Sequence, residues 1–169
     1  FVSHGAAIGI LLAIWLYVKK TGKTYWWVID RVVIVVALGG FFIRMGNLMN
    51  SEIYGHLTSL PWGFVFVRDG QVDPRHPTQI YEALSYLLLF FVLLNYYRKH
   101  YLTMRPGYIF GIFLIVLFGV RFLIEFLKEP QVAFENNMTL NMGQWLSVPF
   151  ILFGIYLLWR KQKEPSKLK

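Results

Sequence analysis

Five apolar runs, each closed by a cluster of basic residues or by a polar connection, constrain this chain more than any other feature. They are Gly5 to Val18, Val32 to Met49, about Thr78 to Tyr97, about Gly107 to Leu127, and Gly143 to Trp159. A helical bilayer span takes roughly 17–25 residues. The last four runs meet that length, and the first is short for it. The reading is an all-α polytopic membrane protein with about five transmembrane helices (5–18, 32–49, 78–97, 107–127 and 143–159) in one membrane domain over 1–169. Residues 51–77 and 128–142 connect spans, and 160–169 form a basic tail. Within the longer connection, Gly63 to Val67 followed by Arg68-Asp69-Gly70 reads as a short strand and turn.

Composition agrees: 56% of residues are hydrophobic and 15% charged, with mean hydropathy +0.48. The net charge of +8 does not signal nucleic acid, because the basic residues sit in short clusters between apolar runs and not on one solvated face. There is no cysteine. That excludes a thiolate metal site, a disulfide framework and a cysteine nucleophile in this sequence. The chain opens on Phe1 with no visible signal peptide, so an N-terminal portion is expected upstream.

Orientation follows from Lys and Arg. One set of connections carries Lys19, Lys20, Lys23, Arg31, Arg98, Lys99, Arg105, Arg160, Lys161, Lys163, Lys167 and Lys169. The alternate set carries only Arg68, Arg75 and Lys128. The positive-inside rule then puts the first set and the C-terminal tail in the cytoplasm, and the 51–77 and 128–142 connections outside.

A helix rises about 1.5 Å per residue, so depth can be read from sequence. Arg44 lies roughly 20 Å beyond Arg31, Arg121 roughly 24 Å beyond Arg105, and His4 roughly 22 Å before Lys19. Gln79, Tyr81 and Glu82 open a span that enters from outside. Four segments therefore bring polar residues to one level in the outer half of the bilayer. Arg44 and Asn47 share a helix face at three apart, as do Arg121 and Glu125 at four apart. Charged residues within spans are expensive and face a polar interior or a functional cavity. Each also has a plainer reading. Arg121 and Glu125 could neutralise one another, Glu52 could pair with Arg44, Asn47 and Asn50 could bind helices together, and His4 could be structural. Two arginines at one depth suit an anion, above all phosphate, which guanidinium matches with two parallel hydrogen bonds.

The segment from Arg44 to Gly55, Arg-Met-Gly-Asn-Leu-Met-Asn-Ser-Glu-Ile-Tyr-Gly, resembles the signature of the bacterial prolipoprotein diacylglyceryl transferases, roughly G-R-x-G-N-F-x-N-x-E-x-x-G. Three further elements follow that family's order. His4-Gly5-Ala6-Ala7-Ile8-Gly9 resembles H-G-G-x-I-G, Pro74 to Glu82 resembles P-R-H-P-S-Q-L-Y-E, and Arg121 to Phe126 resembles R-x-x-x-E-F. Met142-Gly143-Gln144 matches M-G-Q before the last span. The sequence departs at Ile43, Leu48 and Ala6. Leu117 stands where some members carry a tyrosine, which removes any tyrosine role at that position. The family has seven spans, which implies two more spans before this sequence.

The resemblance implies transfer of a diacylglyceryl group from phosphatidylglycerol to the lipobox cysteine thiol of prelipoproteins, giving a thioether and glycerol phosphate. The implied partners are phosphatidylglycerol, prelipoprotein signal peptides with a lipobox cysteine, and membrane lipids, with no cofactor, no metal and no nucleic acid. The implied location is the bacterial inner membrane, multi-pass, with the site toward the outer leaflet. Catalytic candidates are His4, Arg44 and Arg121. Candidate substrate-binding or orienting residues are Asn47, Asn50, Glu52, Gly55, Gln79, Tyr81, Glu82 and Glu125. The arginines would clamp the phosphate and His4 would take the thiol proton. A small transporter would instead call for repeats or broken spans in corresponding halves, and none is visible. A non-catalytic membrane subunit would use the same charges only to pair helices.

Overall fold

The apolar runs fold as helices, seen in a computed structural model that describes residues 2–128 and 140–160. The helices are α1 (Val2–Thr21), α2 (Tyr25–Met49), α3 (Thr78–His100), α4 (Tyr108–Ile124) and α5 (Met142–Trp159). Single 3-10 turns lie at Val67–Asp69 and Glu125–Leu127. The last four α-helices are long and apolar enough to cross a bilayer. The protein is thus a multi-pass membrane protein. The short first run lies within α1, which packs on α2, buries Ile14 and exposes Ile8, Leu11, Leu12 and Leu16.

Helix α2 starts before its apolar run because Thr24 caps it, its hydroxyl accepting from the Trp27 N–H at 3.3 Å. Arg31 extends this first turn as its guanidinium donates to the Trp27 carbonyl at 2.6 Å and stacks over the Trp27 ring. The core is Val33, Ile34 and Ala37 of α2, Leu89 and Leu93 of α3, Ile109, Phe113 and Leu114 of α4, and Leu157 of α5. Lipid gives helices no hydrophobic reason to associate, so close backbone approach must supply packing. Gly111 and Gly154 provide it between α4 and α5. A Cβ on Gly154 would come within 2.9 Å of the Gly111 carbonyl.

One end of the bundle is tied by Asp30, which is fully buried on α2. Its carboxylate accepts from the N–H of Gly107 at 2.6 Å and of Phe110 at 2.9 Å. An acid from α2 thereby caps the N-terminus of α4, where unsatisfied N–H groups favour negative charge. Arg160, at the end of α5, donates to the Pro106 carbonyl at 3.1 Å beside it.

At the other end the 51–77 connection folds over the bundle. The strand expected at Gly63 to Val67 does not form. Phe64 and Arg75 exchange hydrogen bonds at 3.0 and 2.9 Å as one isolated antiparallel pair. Pro74 and Pro77 flank the partner and lack the N–H groups a longer ladder needs. Phe66 instead turns inward, 3% exposed, to stack on Tyr54 at 4.7 Å. The 3-10 turn then closes at Gly70, whose φ of 69° is a left-handed conformation suited to glycine. The turn expected there is present.

Candidate active site

The signature segment is where α2 ends. Asn50 closes the helix with its N–H on the Gly46 carbonyl. The next residues fold sharply, with Ser51 at φ 57° and Ile53 at φ 60°. Left-handed backbone is costly for a β-branched residue. Two side chains from the start of α3 hold it there. The Thr78 hydroxyl donates to the Ile53 carbonyl at 3.0 Å, and Gln79 Nε2 donates to the Glu52 carbonyl at 2.6 Å. Gln79 Oε1 is buried without a hydrogen-bond partner among the described residues.

Arg44 stands at the centre. Its Nε lies 2.6 Å from Glu82 Oε2, and its Nη1 donates to Asn47 Oδ1 at 3.2 Å. Asn47 Nδ2 passes the contact on to Glu52 Oε2 at 3.0 Å. The Tyr86 hydroxyl hydrogen-bonds Arg44 and lies in the field of Glu82 and Arg121. The partner of Arg44 is therefore Glu82, a full connection away in sequence, and Glu52 reaches Arg44 only through Asn47.

Glu82 is fully buried and carries a second cation, since Lys128 Nζ lies 2.8 Å from its Oε1. Lys128 also sits 3.4 Å from Glu125 Oε2. Buried charges persist only when paired, and Arg44, Glu82, Lys128 and Glu125 alternate in sign along one chain of contacts. Glu125 does not pair with Arg121, although the two are four apart. Helix α4 tightens to a 3-10 turn at Glu125, which carries this carboxylate to Lys128 and against Gly143. Arg121 is left half-buried, with no carboxylate partner among the described residues.

Gly55 sits where the connection crosses the end of α4. Its N–H donates to the His76 carbonyl at 2.9 Å, and a Cβ there would come within 2.4 Å of the Leu127 carbonyl. Its part is close backbone approach. Tyr81 faces the connection: its hydroxyl accepts from Trp62 Nε1 at 3.0 Å and lies 3.3 Å from His76 Nδ1. Farther out, the Tyr54 hydroxyl donates to Asp69, which pushes its pKa up from 10.0.

A family model for prolipoprotein diacylglyceryl transferase matches residues 1–160. The chain belongs to the prolipoprotein diacylglyceryl transferase family. Relatives named phosphatidylglycerol–prolipoprotein diacylglyceryl transferase are 46% identical over 164 residues in Bacteroides fragilis, covering 97% of this chain and 59% of the relative. The relative in Tolumonas auensis is 48% identical over 166 residues, covering 98% of this chain and 64% of its own length. In Chloroherpeton thalassium the figures are 40% over 166 residues, 96% and 60%. The chain thus spans about three fifths of the Bacteroides relative's length.

Of the residues that the sequence marks for transferase chemistry, the fold gathers Arg44, Asn47, Glu52, Gln79, Glu82 and Glu125 into one hydrogen-bonded and ionic network; Arg121 is outside its contacts, though its charge is felt at the Tyr86 hydroxyl. Gly55 supports it from below. Asn50 and Tyr81 stand outside it, Asn50 exposed at the end of α2. The side chain of His4 lies outside the described residues, as do residues 129–139 of the second connection and 161–169 of the tail. Sequence reasoning missed Lys128 and Tyr86 as parts of this network. Their only signals were spacing: Lys128 three after Glu125, and Tyr86 four after Glu82.

Proposed function

We propose that this chain carries the phosphate-binding centre of an enzyme that moves a diacylglyceryl group from phosphatidylglycerol to the lipobox cysteine of a prelipoprotein. The observation that carries this is Arg44 held on the buried Glu82–Lys128–Glu125 network of alternating charge, while Arg121 keeps no carboxylate partner among the described residues. Along it Arg44 and Lys128 contact the buried carboxylates Glu82 and Glu125, which Arg121 does not. The guanidinium of Arg121, without a carboxylate partner among the described residues, suits a phosphodiester monoanion.

The cysteine sulfur attacks the glycerol carbon that bears the phosphodiester of the donor. A C–S bond forms, the C–O bond to phosphate breaks, and glycerol phosphate leaves with both electrons of that bond. A thiol near pKa 8.5 is a poor nucleophile until it loses its proton. His4, with a reference pKa near 6.5, accepts that proton. Arg44 and Arg121 stabilise the charge that grows on the leaving phosphate. Asn47, supported by Glu52, orients Arg44. Gln79 holds the turn that sets Glu52, and Glu82 and Glu125 hold the cations apart.

The centre faces the outer leaflet of the bacterial inner membrane, with the C-terminus cytoplasmic. The supporting argument is the distribution of Lys and Arg. Phosphatidylglycerol and a translocated lipobox cysteine meet at that level.

The test uses the full-length protein in detergent, phosphatidylglycerol labelled in its diacylglyceryl moiety, and a lipobox peptide. Label on the peptide cysteine with wild type, and none with Arg44→Ala, is the expected result. No label from a well-folded wild type overturns the proposal. His4→Ala with near-normal turnover would remove the base assignment and leave the phosphate clamp standing.

A further inference from the structure

Lys128 is among the least exposed charged side chains of the described residues, at 2%. Fully buried lysines are rare unless paired. Its backbone fixes it independently of its charge. The Lys128 N–H closes the 3-10 turn on the Glu125 carbonyl at 3.3 Å, Lys128 bridges Gly55, and His56 N–H binds the adjacent Leu127 carbonyl at 2.9 Å. The ammonium is thus delivered to one place, where α4 ends and the signature segment crosses it.

There it takes Oε1 of Glu82 at 2.8 Å, while Oε2 goes to Arg44 Nε at 2.6 Å. An arginine and a carboxylate left to themselves close fork on fork, with two parallel hydrogen bonds. Glu82 is kept from doing so because its oxygens are divided between two cations. Arg44 turns Nη1 to Asn47 instead. A neutral amide oxygen is a weaker acceptor than a phosphate and yields to one.

We propose that Lys128 is a positioning residue for Arg44. By holding Oε1 of Glu82 it restricts that carboxylate to one contact with the guanidinium and leaves the Nη edge to the phosphate of the donor lipid. This rests on the reading that Arg44 binds that phosphate. Without the ammonium, both oxygens of Glu82 face a single cation. The carboxylate rotates into a two-point pair with Arg44 and competes with the donor.

The experiment measures transfer by the full-length protein against the mole fraction of phosphatidylglycerol in detergent micelles, at saturating lipobox peptide. It compares wild type, Lys128→Arg, Lys128→Met and the double variant Lys128→Met/Glu82→Gln. Lys128→Met should raise apparent KM roughly tenfold or more, the scale of one charge-assisted hydrogen bond, with a smaller change in kcat. Lys128→Arg should stay within a few-fold of wild type. The double variant, which lacks the competing carboxylate, should recover most of the lost KM. A merely structural lysine shows its loss and recovery in melting temperature and kcat together, whereas a positioning lysine shows them in KM. Should Lys128→Met fail to fold, the double variant decides, since it removes both buried charges: KM near wild type supports the proposal, and KM raised as expected for Lys128→Met overturns it. Unchanged KM in Lys128→Met with an active wild type overturns this inference alone. An inactive, folded wild type overturns the functional reading beneath it.

Discussion

Glu82 Oε2 lies 2.6 Å from Arg44 Nε, with the carboxylate fully buried and the guanidinium 13% exposed. Helices α2 and α3 are joined at this point by charge, at the level where the signature segment leaves α2. Arg44 must serve Glu82 with one edge and Asn47 with another, which a planar fork can do and a point charge cannot. Arg44→Lys should therefore lower kcat/KM for lipid transfer by about tenfold or more, the scale of one charge-assisted hydrogen bond. Steady-state transfer measured beside wild type checks this.

Glu82→Gln leaves Lys128, among the described residues, with the 3.4 Å contact to Glu125 as its one carboxylate contact. Removing one partner of a buried pair costs about 3–5 kcal/mol. The melting temperature of the purified full-length protein in detergent should fall clearly in this variant. It should fall less in Glu125→Gln, where Lys128 keeps its shorter contact with Glu82.

Gly55 and Gly143 are among the glycines that admit no side chain. A Cβ at Gly55 meets the Leu127 carbonyl at 2.4 Å, and one at Gly143 meets the Glu125 carboxylate at 2.7–2.9 Å. Gly55→Ala should lift the 51–77 connection from the end of α4, costing about 1–3 kcal/mol, and limited proteolysis should then cut within that connection. Gly143→Ala should push Glu125 from Lys128 and lower the melting temperature without exposing the connection.

Asp30 caps α4 across the bundle with two hydrogen bonds, at 2.6 and 2.9 Å. Asp30→Ala leaves the Gly107 N–H without its acceptor in a buried site. Each charge-assisted hydrogen bond contributes on the order of 1.5–3 kcal/mol. Hydrogen exchange at the first turn of α4 should accelerate, while exchange at the Arg44 end should not change.

Tyr54 has its pKa raised above 10.0, chiefly by its hydrogen bond to Asp69. The folded state favours the neutral phenol. The stability this contributes is fully present below pH 10 and is lost as pH rises through the raised value. Alkaline unfolding of the connection, followed by tyrosine absorbance, should lose that component in Tyr54→Phe.

Much of the architecture was legible because membrane spans are written in long apolar runs. The runs at Val32, Thr78, Gly107 and Gly143 all became helices, with ends shifted by caps such as Thr24 that lie outside the apolar stretch. Depth along each helix also predicted one level for His4, Arg44, Gln79, Tyr81, Glu82 and Arg121; the fold joins Arg44 to Glu82, turns Tyr81 to the connection, and the side chain of His4 lies outside the described residues. The Gly63 to Val67 strand was misread because alternation within a short apolar stretch cannot report that its partner is flanked by prolines.

The sequence by itself determined the family and the helices. Local spacing suffices for those. Only the tertiary structure decided the pairing. Sequence spacing offered Glu52 to Arg44 and Glu125 to Arg121. The fold gave Glu82 to Arg44 and Lys128 to Glu125, because buried charge is matched by whatever neighbour the packing brings, and neighbours on different helices leave no periodic trace in the chain.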